Sequence, residues 1–144
     1  MVVTIGFKKL HPEAILPTVS HPGEDVGMDL YALEDTFIPA KGSAVVPVGI
    51  AADIPHGYWM RIENRSGMGF KYGLQVHPGI IDPSFLGELG VKMFNHTDKD
   101  VTIEAKQRFA QLVLYEAFFP EIEETFELPK TTRGTNGFGS TGKF

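Results

Sequence analysis

Turn-forming residues punctuate the whole chain, and they constrain its fold more than any other feature of the sequence. The 144 residues include 16 glycines and 10 prolines, which are spread along the chain rather than clustered. Between them lie short runs rich in β-branched and aromatic residues, as is typical of many short strands joined by turns. We interpret as strands the runs 2–7, 44–50, 58–62, 90–94, 101–106 and 110–118.

No segment of the chain has a sustained helical period. The best candidate for a helix covers one or two turns at residues 66–72, where Gly67 and Gly69 weaken the helical propensity. We assign Trp59 and the phenylalanines to the core, because large aromatic side chains are usually buried. The sequence therefore predicts an all-β domain, either a sandwich or a barrel.

The composition excludes several classes of function. The chain has no cysteine, which excludes disulfides, thiolate catalysis and cysteine-based zinc sites, and its five histidines lack metal-ligand spacing. The formal net charge of −5 argues against a nucleic-acid-binding protein, which needs a basic face. No apolar run approaches the roughly 20 residues that span a bilayer, and the N-terminus lacks a signal-peptide pattern. We therefore expect a soluble, cytoplasmic protein with neither a nucleic acid nor a membrane as its partner.

The last segment, residues 133–142, has the ingredients of a phosphate-binding loop. Glycines allow successive backbone N–H groups to turn toward an anion, Ser140 and Thr141 offer hydroxyl groups, and Arg133 offers a charged guanidinium. The acidic, strand-poor stretch 121–130 precedes it. By composition alone this is a weak signal, because a glycine-rich end is more often a disordered tail.

Residues 64–67 form a second candidate phosphate site at the end of a predicted strand. Arg65 and Ser66 stand beside Gly67, so charge, hydroxyl and backbone freedom occur together. A turn with a solvated arginine explains the same residues equally well. A nucleophilic role for Ser66 is disfavoured, because the segment is not a G-x-S-x-G elbow.

Two aspartates, Asp82 and Asp29, lie in sequence contexts where a carboxylate could have a functional role. Asp82 lies between an isoleucine and a proline in segment 77–88, which we interpret as a β-hairpin or tight corner, and we expect it to be partly buried. It would act either as a turn-capping side chain or as a general base that orients a water. Asp29 follows a glycine turn that opens a strand, and a purely structural role would also explain its position there.

The order and spacing of five segments are more specific than any one of them. These segments are 26–31, 65–68, 79–87, 108–112 and 133–142, and the last contains an intact Gly-Phe-Gly-Ser-Thr-Gly run. Together they resemble the five motifs of the trimeric deoxyuridine triphosphatase (dUTPase) family across almost the full chain. Members of that family hydrolyse dUTP to dUMP and pyrophosphate, which limits uracil incorporation into DNA and supplies dUMP for dTMP synthesis.

The resemblance implies a distorted jelly-roll β-barrel that assembles as a homotrimer, with active sites at the subunit interfaces. It divides the chain into a barrel core at 1–118, a connecting arm at 119–132 and a glycine-rich lid at 133–144. The lid would close over a nucleotide bound to a neighbouring subunit. This would explain why a segment that cannot form a core carries so many phosphate-binding groups.

The resemblance also implies a role for each matching position. Asp82 would activate the water that attacks the α-phosphorus, and Phe85, where the family usually has tyrosine, would stack on the deoxyribose. The backbone of Gly79, Ile80 and Ile81 would contact the uracil edge, and Phe138 would cover the uracil ring. The triphosphate would be bound by Arg65, Ser66, Gly67, Gln111, Arg133, Gly139, Ser140 and Thr141. Mg²⁺ would sit mainly on the phosphate oxygens, with Asp29 reaching it through water only.

Several positions depart from the family pattern. Asn64 replaces a proline, Leu86 an arginine, Lys106-Gln107 a Gly-Asp pair and Asn136 a glycine. Asparagine tolerates a left-handed backbone better than most residues, so we expect the tail to turn even with Asn136. None of these changes removes the base, the stacking ring or the phosphate-binding groups.

Two alternative functions remain open from the sequence. Deoxycytidine triphosphate deaminases share the barrel, but they use a glutamate on the strand after the 77–88 segment, and residues 90–95 contain no carboxylate. A nucleotide-binding regulatory protein on the same scaffold is the other alternative, because a fold does not determine a function.

Overall fold

The computed structural model describes residues 2–144 and is almost entirely β-structure. Eleven strands and one short helix follow one another along these residues. They are β1 (Gly6–Lys9), β2 (Gly27–Tyr31), β3 (Thr36–Ile38), β4 (Ser43–Pro47), β5 (Ile50–Asp53), β6 (Tyr58–Asn64), α1 (Ser66–Tyr72), β7 (Leu74–Val76), β8 (Gly79–Ile81), β9 (Gly90–Asn95), β10 (Val101–Ile103) and β11 (Arg108–Glu116).

The strands pair antiparallel in four small sheets. The largest has the order β2-β11-β6-β8, a second has the order β4-β9-β7, and the pairs β1-β5 and β3-β10 complete the structure. One face of each sheet packs on a shared core whose most buried members are Ile38, Ile50, Met60, Met93, Ile103, Phe109 and Leu112. The result is an all-β barrel of the jelly-roll kind, as the sequence predicted.

The boundaries of several predicted strands shift because of the backbone. The predicted strand 44–50 is divided into β4 and β5 at a turn where Gly49 has a φ of 67°. The predicted strand 101–106 ends at Ile103, since Lys106 has a φ of 68°, which no strand accommodates. The helix falls at the predicted residues and ends at Gly73, whose φ of 62° is the usual left-handed cap.

The assignment of the aromatic residues to the core is largely wrong. Among the 11 phenylalanines only Phe109 is buried, and most of the others are exposed. Trp59 lies on the open face of the largest sheet, where its ring stacks on Tyr115 at 4.8 Å between centroids. Its Nε1 donates a hydrogen bond to the carbonyl oxygen of Glu116 at 3.2 Å. Aliphatic residues and methionines fill the core instead.

The chain after β11 forms no strand or helix, and nearly every residue from 117 to 144 is exposed. Its apolar side chains include Phe119, Ile122, Phe126 and Leu128, the last three of which are more than four-fifths exposed. Within residues 2–144, no helix has both the length and the apolar character required to cross a membrane.

Candidate active site

A buried carboxylate organises the first part of the candidate site. Asp29 in β2 is 7% exposed, and its Oδ1 forms an ion pair with Arg65 Nε at 3.0 Å. Two further groups contact its other oxygen. Its Oδ2 accepts a hydrogen bond from Ser20 Oγ at 3.2 Å and lies 3.6 Å from Arg108 Nη1. A carboxylate with so little access to water needs such partners, and in turn it fixes where the two guanidinium groups lie.

Strand pairing brings these residues together from distant parts of the chain. Asp29 lies opposite Gln111 in the β2-β11 register, and Arg65 follows directly after β6, the other neighbour of β11. Arg65 Nη1 donates to the carbonyl oxygen of Arg108 at 3.2 Å, and Gln111 Nε2 donates to the carbonyl oxygen of Asn64 at 2.8 Å. The ends of three strands are therefore cross-linked by polar side chains.

These residues line an open cleft of about 600 Å³, which we call the polar cleft. Its lining comprises Ser20, His21, Glu24, Asp25, Val26, Gly27, Asp29, Arg65, Ser66, Gly67 and Gln111. Five of the predicted site residues thus share one cleft, and the exposed Ser66 hydroxyl is free to contact a ligand there. Sequence reasoning missed Ser20, because nothing in its own segment signals that it faces the carboxylate of Asp29.

The residues predicted to contact the nucleoside line a second depression of about 340 Å³, which we call the β8 groove. Its lining includes Gly79, Ile80, Ile81, Asp82 and Phe85. A backbone hydrogen bond of 3.0 Å from Phe85 N to the carbonyl oxygen of Asp82 closes the tight corner that the sequence predicted.

Of the two alternatives that the sequence left for this segment, a β-hairpin or a tight corner, the structure has the tight corner, because β8 pairs with β6 while the preceding β7 pairs with β9 in a different sheet. The expected partial burial of its carboxylate is wrong. Asp82 is exposed rather than partly buried, since the corner turns its side chain away from the core. Phe85 is also exposed, at 41%.

The candidate site residues near the C-terminus line neither the polar cleft nor the β8 groove. Arg133 Nε and Nη2 donate to the carbonyl oxygens of Asn136 and Gly137 at 2.8 and 3.1 Å, so its guanidinium closes a turn within the tail. Phe138, Gly139, Ser140 and Thr141 are fully exposed. The left-handed positions in the tail are glycines 134, 139 and 142, so Asn136 does not adopt the left-handed conformation suggested for it.

The candidate residues therefore fall into three groups on one chain. The polar cleft and the β8 groove share no lining residue, and the tail contributes to neither. The polar cleft offers the guanidinium of Arg65 and several hydrogen-bond donors, together with three carboxylates. The groove offers an exposed carboxylate beside an aromatic ring, and the tail offers a second arginine with hydroxyl and backbone N–H groups. Each group suits one part of a nucleoside triphosphate.

Comparison with known proteins shows which family carries these three groups of residues. The dUTPase family pattern matches residues 13–142, which include all three groups. The chain belongs to the dUTPase family. The deoxyuridine 5′-triphosphate nucleotidohydrolase of Solanum lycopersicum is 39% identical over 135 residues, which cover 94% of this chain and 79% of that protein.

Other relatives match over nearly their whole length. The nucleotidohydrolase of the same name from a Picosynechococcus species is 41% identical over 136 residues, covering 93% of this chain and 95% of the relative. Among solved structures, the dUTPase of Staphylococcus bacteriophage 80alpha with dUpNHpp is 28% identical, with a TM-score of 0.90 over 97% of this chain and 99% of that chain. The dUTPase fold therefore accounts for 97% of the chain.

The departures from the family pattern have identifiable local roles. The Asn64 side chain donates to the carbonyl oxygen of Leu74 at 3.0 Å and accepts from Val76 N at 2.6 Å, contacts that a proline cannot make. Gln107 Oε1 accepts from the backbone N of Glu104 at 2.9 Å and closes the turn before β11. Leu86 is two-thirds exposed, and nothing in the structure explains it.

Proposed function

We propose that the protein hydrolyses dUTP to dUMP and pyrophosphate at sites shared among three copies of the chain. The observation that carries this proposal is the separation of the polar cleft, the β8 groove and the tail. Each group is suited to one part of dUTP, and no single chain brings them together. A homotrimer would complete each site with a cleft from one subunit, a groove from a second and a tail from the third.

The exposed apolar residues support assembly. Phe118, Ile122, Phe126 and Leu128 each expose more than four-fifths of their surface after the last strand. A monomer rarely leaves so many large apolar side chains in water along one segment. In the proposed trimer, the arm formed by residues 119–132 lies against a neighbour and carries the lid of residues 133–144 to that neighbour's nucleotide.

The polar cleft is proposed to bind the triphosphate. The guanidinium of Arg65 is held by Asp29 and by the carbonyl oxygen of Arg108, so its position is fixed before a ligand arrives. Fixed donors stabilise the charge that develops on phosphoryl oxygens without reorganising during the reaction. Ser66, Gly67 and Gln111 add hydrogen-bond donors, and Arg133, Gly139, Ser140 and Thr141 close from the tail.

Magnesium fits this site only together with the substrate. Residues 2–144 contain no group of three or more histidine or acidic side chains that could hold a metal ion by themselves. Both oxygens of Asp29 already accept contacts from Arg65 and Ser20. Mg²⁺ would therefore be held mainly by the substrate, with Asp29 reaching it only through water, and would supply charge neutralisation at the phosphates.

The β8 groove is proposed to bind the nucleoside and supply the base. Asp82 would accept a proton from a water whose oxygen forms a bond to the α-phosphorus, while the bond from that phosphorus to the bridging oxygen breaks and pyrophosphate leaves. Its exposure in the isolated chain leaves the carboxylate accessible to that water. Phe85 would stack on the deoxyribose, the β8 backbone would contact the uracil edge, and Phe138 would cover the base.

In a cell, this reaction would limit uracil incorporation into DNA and supply dUMP for dTMP synthesis. The direct test is to incubate the protein and Mg²⁺ separately with dUTP, dTTP, dCTP and UTP, measuring both pyrophosphate and ammonia. We expect pyrophosphate from dUTP alone. Ammonia from dCTP would instead indicate a deaminase.

The mechanism is tested by Asp82→Asn. Turnover should fall by roughly 10²–10⁴-fold, the usual size of a general-base contribution, while dUTP binding changes little. Asp98→Asn is the matched control, because Asp98 is a 92% exposed carboxylate paired with Lys41 at 3.6 Å and lies outside the three groups. Full turnover in Asp82→Asn would contradict the role of Asp82, and a fully active monomer in sedimentation would contradict the shared site.

A further inference from the structure

The side-chain amide of Gln111 occupies the space in which a Cβ atom at position 27 would lie. Only a glycine at position 27 leaves this space open. In the β2-β11 register, Gly27 is paired with Val113 and Asp29 with Gln111, so Gly27 and Gln111 are diagonal neighbours on one face of the sheet. A Cβ atom added to Gly27 would overlap Gln111 Oε1 and lie 2.9 Å from Gln111 Cδ. The backbone of Gly27 itself is not left-handed, so another residue could adopt its conformation.

The hydrogen bond on the other side of the amide fixes its orientation. Gln111 Nε2 donates to the carbonyl oxygen of Asn64 at 2.8 Å. A carbonyl oxygen can only accept, so the nitrogen of the amide must face Asn64 and the oxygen must face Gly27. The second N–H of Nε2 is then left for a ligand in the polar cleft.

The acceptor in this arrangement is itself held in place. Asn64 bonds through its side chain to the carbonyl oxygen of Leu74 at 3.0 Å and to the backbone N of Val76 at 2.6 Å. These bonds tie the end of β6 to β7, so the Asn64 carbonyl oxygen has little freedom to follow Gln111 if the amide moves. Displacing the amide from Gly27 would therefore break its bond to Asn64.

We propose that Gly27 is a positioning residue for the triphosphate-binding amide of Gln111. It acts by leaving unoccupied the space that the amide needs in order to reach the carbonyl oxygen of Asn64. This inference rests on the proposed role of Gln111 in binding dUTP. Because the displaced atoms are the far end of a flexible side chain, Gly27→Ala should move the amide without unfolding the sheet.

The test compares Gly27→Ala, Gln111→Ala and the double variant with the unmodified protein, using kcat and KM for dUTP and the melting temperature. Losing one hydrogen bond to the ligand corresponds to roughly 3–10-fold in KM. We expect each single variant to raise KM by this factor with a smaller change in kcat, and the double variant to be no worse than Gln111→Ala. Gly6→Ala, also in a strand but far from the cleft, controls for the glycine replacement itself.

A second measurement follows the side-chain amide resonance of Gln111 in a ¹H–¹⁵N spectrum, where it is identified by its loss in Gln111→Ala. A purely structural role of Gly27 would not change this resonance. Gly27→Ala should shift this resonance toward that of a free amide. A Gly27→Ala variant that melts early while the double variant is stable would also support the steric inference.

The outcomes separate the two proposals. If Gln111→Ala leaves KM unchanged, the proposed ligand role of Gln111 is wrong. If Gln111→Ala raises KM but Gly27→Ala changes neither KM nor the amide resonance, the positioning inference is wrong. Loss of folding in both Gly27→Ala and the double variant would also overturn it, because the need for glycine would then lie in the backbone.

Discussion

The polar cleft and the C-terminal tail carry similar chemical groups, but the chain positions them in opposite ways. In the cleft, Arg65 is held by Asp29 at 3.0 Å, a contact between the residue that follows β6 and a residue of β2. In the tail, Arg133 bonds only to carbonyl oxygens three and four residues further along the chain. The cleft is preformed by tertiary structure, whereas the hydrogen bonds of the tail are local to the tail.

The difference between the two regions also appears in the backbone. The barrel forces two lysines, Lys41 and Lys106, into left-handed conformations with φ of 60° and 68°. In the tail, each left-handed position is a glycine. Packing in the barrel can offset such strain, while a segment without tertiary contacts must use residues that adopt the conformation freely. Stability and ligand binding should therefore be separable by variants in the two regions.

The largest expected effect comes from removing residues 133–144. The value of kcat/KM for dUTP should fall by at least about 10²-fold, because charge-assisted hydrogen bonds to the phosphates are lost with the tail. The melting temperature should not change, since the hydrogen bonds of these residues are all made within residues 131–144. Steady-state kinetics and thermal denaturation measure the two quantities.

A shorter truncation provides the control for that experiment. Removing only Lys143 and Phe144, which lie beyond the residues that match the family, should leave the kinetics unchanged. If removal of residues 133–144 lowers the melting temperature as well as the activity, the tail contributes to stability. The contrast between a preformed cleft and a tail without tertiary contacts would then be wrong.

The second expected effect is that of Asp29→Asn, which should damage stability and activity together. The substitution preserves the size of the side chain but removes the charge that holds Arg65, and such losses cost about 1–3 kcal/mol. Thermal denaturation and KM for dUTP measure the outcome. Asp25→Asn is the matched stability control, because Asp25 lines the same cleft with its side chain 45% exposed. An Asp29→Asn variant as stable as Asp25→Asn would show that the cleft is not preformed by this network.

The smallest expected effect is a gain in stability from Lys106→Gly. The resemblance to the family implies glycine at this position, and relief of the left-handed lysine should stabilise the protein by about 0.5–1 kcal/mol without changing kcat or KM. Lys106→Ala separates strain from charge, because it removes the 3.8 Å ion pair with Glu13 but keeps a side chain. Equal melting temperatures for the glycine and alanine variants would argue against stored strain.

What the sequence could predict depended on whether a property is local. The helix at 66–72 was predicted correctly, because its length and its glycine cap are properties of neighbouring residues. The all-β class followed from the spacing of turn residues, and the family motifs indicated which residues to consider for the site. The bond from Ser20 to Asp29 was not predictable, since it depends on how distant strands pair.

The errors have a common physical cause. Trp59 and most phenylalanines were assigned to the core because hydrophobicity predicts burial, but it does not say what buries them. In the isolated chain Trp59 faces outward on the largest sheet, and the exposed phenylalanines lie at several places on the barrel surface and along the tail. Likewise, the resemblance implies that Lys106 stands where the family has glycine, and the backbone shows that the position has a left-handed conformation, which glycine favours.

The position of Trp59 gives the protein a built-in optical signal. It is the only tryptophan in the chain, and it lies half-covered on the open face of the largest sheet against the ring of Tyr115. The emission spectrum of the unlabelled protein therefore reports a single location, the Trp59–Tyr115 pair on the open face of the largest sheet. If a second copy of the chain covers this face, dilution that separates the copies would move the emission toward longer wavelengths, so dissociation could be followed without any dye.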